Sequence, residues 1–324
     1  MEQPSNKVLV YKHIKEPAQE ILRYIDDRRK GIVKSLRTRW PKFNKQCMGG
    51  IEPNAIYTIA GISGCGKSAF VNSLETDLFD LNPRANFVVL SFSYEMLSSK
   101  QVGRKLSYRV KKTTTELYSG TEDPRAKLTE EDYEKLIKET EAIQQYPIYY
   151  VDSPGTVEEM RNTIIDFYKQ PFVKGKWLIV ILDHSLLVRG KTGEKEREIL
   201  FNLQRLFMEF KKYGRNTIIQ LSQMNREIEE KERILNPTVH FPVRRDLFAS
   251  DSLYQASDYV IVLHRPEILG IKAYGLSNWP VENLIYMHFL KVREGEPKIL
   301  VFYNNLKYNS IEEYNPSILK NQEK

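Results

Sequence analysis

Residues 61–68 read Gly61-Ile62-Ser63-Gly64-Cys65-Gly66-Lys67-Ser68, in the pattern Gly-x-x-x-x-Gly-Lys-Ser. Ala55-Ile56-Tyr57-Thr58-Ile59-Ala60 stands before it as a short apolar strand, and Phe70, Val71, Leu74 and Leu78 follow at helical spacing. Strand, glycine-rich loop and helix in that order make a phosphate cradle. Glycines let successive backbone N–H groups turn inward around phosphate oxygens. Lys67 reaches β- and γ-phosphates, and the Ser68 hydroxyl is a ligand for Mg²⁺ at the helix N-terminus. Candidate phosphate contacts are Gly61, Ser63, Gly64, Cys65, Gly66, Lys67, Ser68 and Ala69. The expected ligand is a nucleoside triphosphate with Mg²⁺.

Working outward, apolar runs alternate with amphipathic stretches. Phe87–Phe92, Ile148–Val151, Trp177–Leu182, Thr217–Leu221 and Tyr259–Leu263 read as strands. Residues 95–112, 129–145, 157–168 and 194–213 read as helices, the last with Ile199, Leu203, Leu206, Phe207 and Phe210 on one face. Leu284–Lys291 and Ile299–Tyr303 read as a hairpin. This order predicts an α/β fold. A mostly parallel, twisted sheet is flanked by helices on both faces and carries an antiparallel C-terminal hairpin. In such sheets ligands sit at the strand C-termini, so the polar residues that follow each run are the candidates for chemistry.

Asp183 ends the Trp177–Leu182 run, where an acid can hold Mg²⁺. Glu95, just past Phe87–Phe92, is placed to orient and deprotonate an attacking water. Gln223, after Thr217–Leu221, has an amide that can bond a γ-phosphate and lose that bond on hydrolysis. Lys291 and Arg293 are either edge-strand charges or, in a ring, cations reaching the γ-phosphate on the next subunit. Residues alone leave that choice open. An apolar stripe over 14–25 (Ile14, Ala18, Ile21, Leu22, Ile25) packs on its own domain or on a neighbour.

The 324-residue chain carries a net charge of +7, which fits a polyanionic partner. Its two cysteines, Cys47 and Cys65, have no metal-ligand spacing and point to a reducing compartment. No stretch approaches the ~20 apolar residues of a membrane span, and the N-terminus has no secretory apolar segment. The cytoplasm of a bacterium or phage-infected host is the expected location, with no membrane partner.

Taken together, the motifs resemble the motor domain of the DnaB family of hexameric replicative helicases, within the RecA-like ATPases. Ser93-Tyr94-Glu95-Met96 is similar to the family's Ser-Leu-Glu-Met, Ile181-Leu182-Asp183-His184 to its Ile-Asp-Tyr segment, and Ser222-Gln223-Met224-Asn225-Arg226 to its Ser-Gln-Leu-Asn-Arg. Asp246 through Asp258 and Lys291-Val292-Arg293-Glu294-Gly295 match two further motifs, the last trans-acting. Phe248 and Asp251 replace the Arg and Gly of the 246–258 block.

The resemblance implies an ATP-dependent hexameric helicase translocating on single-stranded DNA during replication. Glu95, Lys67, Gln223, Arg293 and Lys291 carry catalysis, Ser68 and Asp183 the metal, and Arg189, Lys191, Arg244 and Arg245 the DNA contacts. It further implies a linker helix within 1–30, a motor over 31–310 and a tail over 311–324, without the family's N-terminal collar, as in a phage or mobile-element protein. A primase or helicase loader is the implied protein partner. A RecA-like recombinase or other single-strand-binding ATPase without unwinding, and a non-hydrolysing nucleotide-binding assembly subunit, are the alternatives.

Overall fold

The uninterrupted apolar runs become strands because only a site covered on both faces accepts them. The computed structural model describes residues 10–120, 122, 128–238, 240–248 and 250–315. It divides into two units, Met1–Ser35 and Leu36–Lys324. The first holds helix α1 (Lys15–Arg29), on which Ile21, Leu22 and Ile25 are exposed.

The second unit runs α2 (Pro41–Gln46), β1 (Ile56–Gly61), α3 (Lys67–Asp80), β2 (Phe87–Ser93), α4 (Ser98–Val110), α5 (Thr114–Tyr118) and α6 (Glu130–Ile143). It continues with β3 (Ile148–Val151), α7 (Val157–Lys169), β4 (Trp177–Asp183), α8 (Glu196–Lys212) and β5 (Asn216–Gln223). It closes with α9 (Lys231–Ile234), α10 (Ser250–Ala256), β6 (Tyr259–His264), β7 (Leu284–Val292), β8 (Ile299–Asn305) and β9 (Ser310–Glu313).

Among the described residues the strands form one nine-stranded sheet in the order β3-β2-β4-β5-β1-β6-β7-β8-β9. β3 through β6 in that order are parallel, and β6-β7, β7-β8 and β8-β9 are antiparallel. Alternate residues of β4 enter two different cores. Trp177, Ile179 and Ile181 pack on the α3 side, while Leu178, Val180 and Leu182 pack with Leu203, Leu206 and Phe207 of α8. The period-2 side-chain alternation of a strand therefore fills both layers at once. Threonine capping boxes start α6 (Thr129, Asp132) and α7 (Thr156, Glu159) and satisfy their first N–H groups.

β9 lies across the 310/311 boundary expected for the motor, so the sheet takes in residues assigned to the tail. Ile311 is buried, and its carbonyl accepts from Trp40 Nε1 at 3.0 Å. Trp40 in turn stacks on Phe70 of α3, with ring centroids 4.7 Å apart. Residues 316–324 of the expected tail, and Ala249 of the 246–258 block, lie outside the described residues.

Candidate active site

β1 occupies the middle of the sheet, between β5 and β6. The register aligns Gly61 with Gln223 and Ser93 with Asp183. The ends of β1, β2, β4 and β5 thus form one rim, and the glycine-rich loop, Glu95, Asp183 and Gln223 all stand on it.

The loop needs its glycines. A Cβ on Gly61 would meet the Leu263 carbonyl oxygen at 2.6 Å and the Cys65 sulfur closer still. Gly64 and Gly66 have φ of +76° and +102°, in the left-handed region where side chains are strained. Lys67 Nζ donates to the carbonyls of Gly61 (2.7 Å) and Ile62 (2.9 Å), folded over the cradle. Ser68 and Ala69 fill the first turn of α3. Cys65 is buried and burial pushes its thiol up, away from the reactive thiolate.

Asp183 is buried at the rim, and its carboxyl is raised. Burial, then the nearby Glu95 carboxylate, push it up to about 6. Its Oδ2 accepts from Gln101 Nε2 of α4 at 3.2 Å, while the buried Oδ1 has no partner among the described residues. An orphaned buried carboxylate oxygen beside a second acid fits a hard divalent cation, which takes oxygen ligands. Among the described residues no group of three or more His, Cys, Asp or Glu could hold a metal alone. A cation here would need ligands from a bound phosphate as well.

α4 braces this rim through residues four apart. Gln101 reaches Asp183, and Lys105 forms a fully buried ion pair with Glu75 of α3 and donates to Asn72 Oδ1 at 3.1 Å. Arg109 joins Asp80 of α3 (2.6 Å) and Glu139 of α6 (2.5 Å). Glu95 is exposed at the rim, just before α4. His184 Nε2 lies 3.1 Å from Gln223 Oε1, and burial holds the imidazole below its usual range. Sequence reasoning missed Gln101 and His184. The one available signal was His184 standing where the family motif has tyrosine.

Lys291 and Arg293 are not brought to this rim. Val292 pairs with Tyr259, the first residue of β6. They therefore sit at the opposite end of the sheet, a strand length or about 17 Å from the loop. Arg293 Nε pairs with Asp258 Oδ1 at 2.8 Å, while Lys291 Nζ donates to the Tyr254 and Gln255 carbonyls. Asp258 also takes Lys211 at 2.8 Å and the Ile56 N–H at 2.8 Å.

The four candidate DNA cations have different surroundings. Arg189 is exposed. Lys191 pairs with Glu158 at 3.0 Å, and Arg244 pairs with Asp251 at 2.6 Å. Arg245 makes no ion pair among the described residues. It lines a cavity of about 620 Å³ with Arg197, Phe201, Asn225 and Phe248, beside the Gln223 loop.

A mostly parallel sheet with this loop at its centre, and the single strand β5 between the loop strand and the strand that ends in Asp183, has the arrangement of the RecA-like ATPase fold. Residues 35–312 match the model of the DnaB-like helicase C-terminal domain. The chain belongs to that family. It is similar to the replicative DNA helicase DnaB of Mycoplasma genitalium, 27% identical over 239 residues, covering 72% of this chain and 47% of that protein. It also resembles DnaB of Mycobacterium leprae, 30% identical over 178 residues, covering 54% of this chain and 27% of that protein. The chain thus spans about half or less of the length of these relatives. Among solved structures, an isolated ATPase domain superimposes with a TM-score of 0.74 at 19% identity, covering 92% of this chain and 98% of that one. A DnaB-like replicative helicase studied for its interactions with primase gives 0.74 at 18% identity, covering 94% and 68%.

Proposed function

We propose that the chain is the ATP-driven motor of a ring-forming replicative DNA helicase, built from six copies and moving on single-stranded DNA. One observation carries this reading. The phosphate loop and Arg293 lie at opposite ends of the same sheet, so a site using both must be shared between copies. A recombinase or an inactive assembly subunit accounts less well for the family match joined to a complete set of Lys67, Glu95, Asp183 and Gln223.

On nucleotide binding, Lys67 exchanges the Gly61 and Ile62 carbonyls for phosphate oxygens. Ser68 and Asp183 would hold Mg²⁺, which when bound would neutralise charge on the phosphates. Glu95 orients the attacking water and accepts its proton. Gln223 reads the γ-phosphate and passes its loss to the 224–245 segment, which ends at Arg244 and Arg245. Arg189, Lys191 and these arginines then meet DNA phosphates rather than base edges. Lys191 and Arg244 must first leave Glu158 and Asp251. A primase or loader is the proposed protein partner.

The test is ATPase activity with and without single-stranded oligonucleotides of unrelated sequence across a salt series. Stimulation by every sequence, weakening as salt rises, is the expected result. No response to DNA, or response to one sequence only, would contradict the reading.

A further inference from the structure

His184 follows Asp183 at the end of β4, and Gln223 ends the neighbouring strand β5. The ring is buried, 7% exposed. Its Nδ1 faces the backbone N–H of Leu186 at 3.2 Å. A backbone N–H can only donate, so Nδ1 accepts and the ring proton of the neutral imidazole is on Nε2. That N–H points at Gln223 from 3.1 Å. Two donors cannot face each other, so the amide must turn its oxygen to His184. Its NH₂ is left without a partner among the described residues.

We propose that His184 is a positioning residue that locks the Gln223 amide with its N–H side facing the nucleotide. The inference rests on Gln223 acting as the γ-phosphate sensor. Phosphate oxygens only accept, so a sensor amide works in one of its two orientations. The chain of hydrogen bonds from Leu186 N–H through the imidazole to Gln223 Oε1 selects that orientation before nucleotide arrives. Preorganisation of this kind lowers the cost of the contact when it forms.

Two substitutions separate the two ends of the imidazole. From the same backbone position, the His184→Asn side chain can reach where Nδ1 was but not where Nε2 was. His184→Gln places its amide nitrogen where Nε2 was and leaves Leu186 without its acceptor. Each is compared in the full chain with wild type, Gln223→Ala and the double variant His184→Asn/Gln223→Ala. The readouts are kcat and KM for ATP with single-stranded DNA, and the ratio of DNA affinities with a non-hydrolysable ATP analogue and with ADP. Thermal melts check folding.

His184→Asn is expected to lower kcat roughly tenfold with KM for ATP little changed, and to bring the affinity ratio toward one. His184→Gln is expected to recover most of both. In the Gln223→Ala background, His184→Asn is expected to add no further loss. Recovery by Asn and not by Gln would show that the ring serves the Leu186 turn, and would overturn the proposal. A further loss in the double variant would overturn it while leaving the sensor reading intact. A Gln223→Ala protein with wild-type coupling would remove the sensor reading and the proposal together.

Discussion

The two ends of the sheet handle charge in opposite ways. At the end that carries the phosphate loop, acceptors and donors are left over. Asp183 Oδ1 has no partner among the described residues, Lys67 turns back on its own loop, and Glu95 stands exposed. At the other end Asp258 is saturated, taking Lys211, Arg293 and the Ile56 N–H. Buried polar groups are ordinarily paired, so the orphaned Asp183 oxygen marks the end where a cation, and the phosphates it accompanies, would complete the structure. The saturated end holds its strands together, yet Arg293 stays half exposed there. It is fixed in place with part of its guanidinium surface open to a neighbour.

If the loop end is incomplete without triphosphate, Lys67→Ala removes its main phosphate cation. ATP turnover should fall by about 10²–10³-fold, read in a steady-state phosphate-release assay. Near-normal turnover would show that the phosphate loop is not where ATP is hydrolysed.

A smaller effect is expected from Gln101→Leu, which deletes the side-chain donor to Asp183 and leaves a second carboxylate oxygen unpaired. Residues behind metal ligands typically contribute 10- to 100-fold in metal affinity. The Mg²⁺ concentration that half-saturates binding of a fluorescent ATP analogue should rise about tenfold. An unchanged Mg²⁺ requirement would show that Gln101 merely packs.

The smallest effect is expected outside both ends of the sheet. His240, His264 and His288 lie in a buried cluster near Tyr274, with Arg233 and Asp246 paired beside it. Burial lowers all three imidazoles, His288 to about 3, and His264 is lowered further by its two histidine neighbours. The unfolded chain titrates near 6.5. Below that pH it binds more protons than the folded chain, so stability declines as pH falls from about 6.5 toward 3. The slope approaches about 1.4 kcal/mol per pH unit for each imidazole. Melting temperature should therefore drop between pH 7 and 5, and less steeply in a His288→Gln variant. A flat profile would mean that these rings are reached by water.

Much of this architecture is legible in the amino-acid sequence. β1, β2, β4, β5 and β6 are long apolar runs that only a doubly covered sheet can bury, and the phosphate loop follows one of them. Asp183 and Gln223 stand out because strand ends are where such folds place polar chemistry. β9 escapes notice because four residues with two carboxylates, Ser310-Ile311-Glu312-Glu313, lack the length and pattern of a strand. It forms through pairing with β8 and the Trp40 contact. Gln101 and His184 escape for another reason. Their partners lie 82 and 39 residues away in the chain, and only the β2-β4-β5 register brings them together. The ion pairs that occupy Lys191 and Arg244 are equally invisible, since a basic residue in a loop carries no mark of its partner.

Arg293 is proposed to serve the site of an adjacent copy. Lys67→Ala and Arg293→Ala proteins are prepared separately, shown to be inactive, and mixed under conditions where co-assembly is verified by mass photometry. Trans-acting arginines contribute about 10³–10⁵ in turnover, so Arg293→Ala alone should bind ATP and hardly hydrolyse it. In the mixture, interfaces that join an intact phosphate loop to an intact Arg293 should restore a measurable fraction of wild-type ATPase activity. Normal hydrolysis by Arg293→Ala alone, or no recovery in verified mixed assemblies, would contradict the shared site.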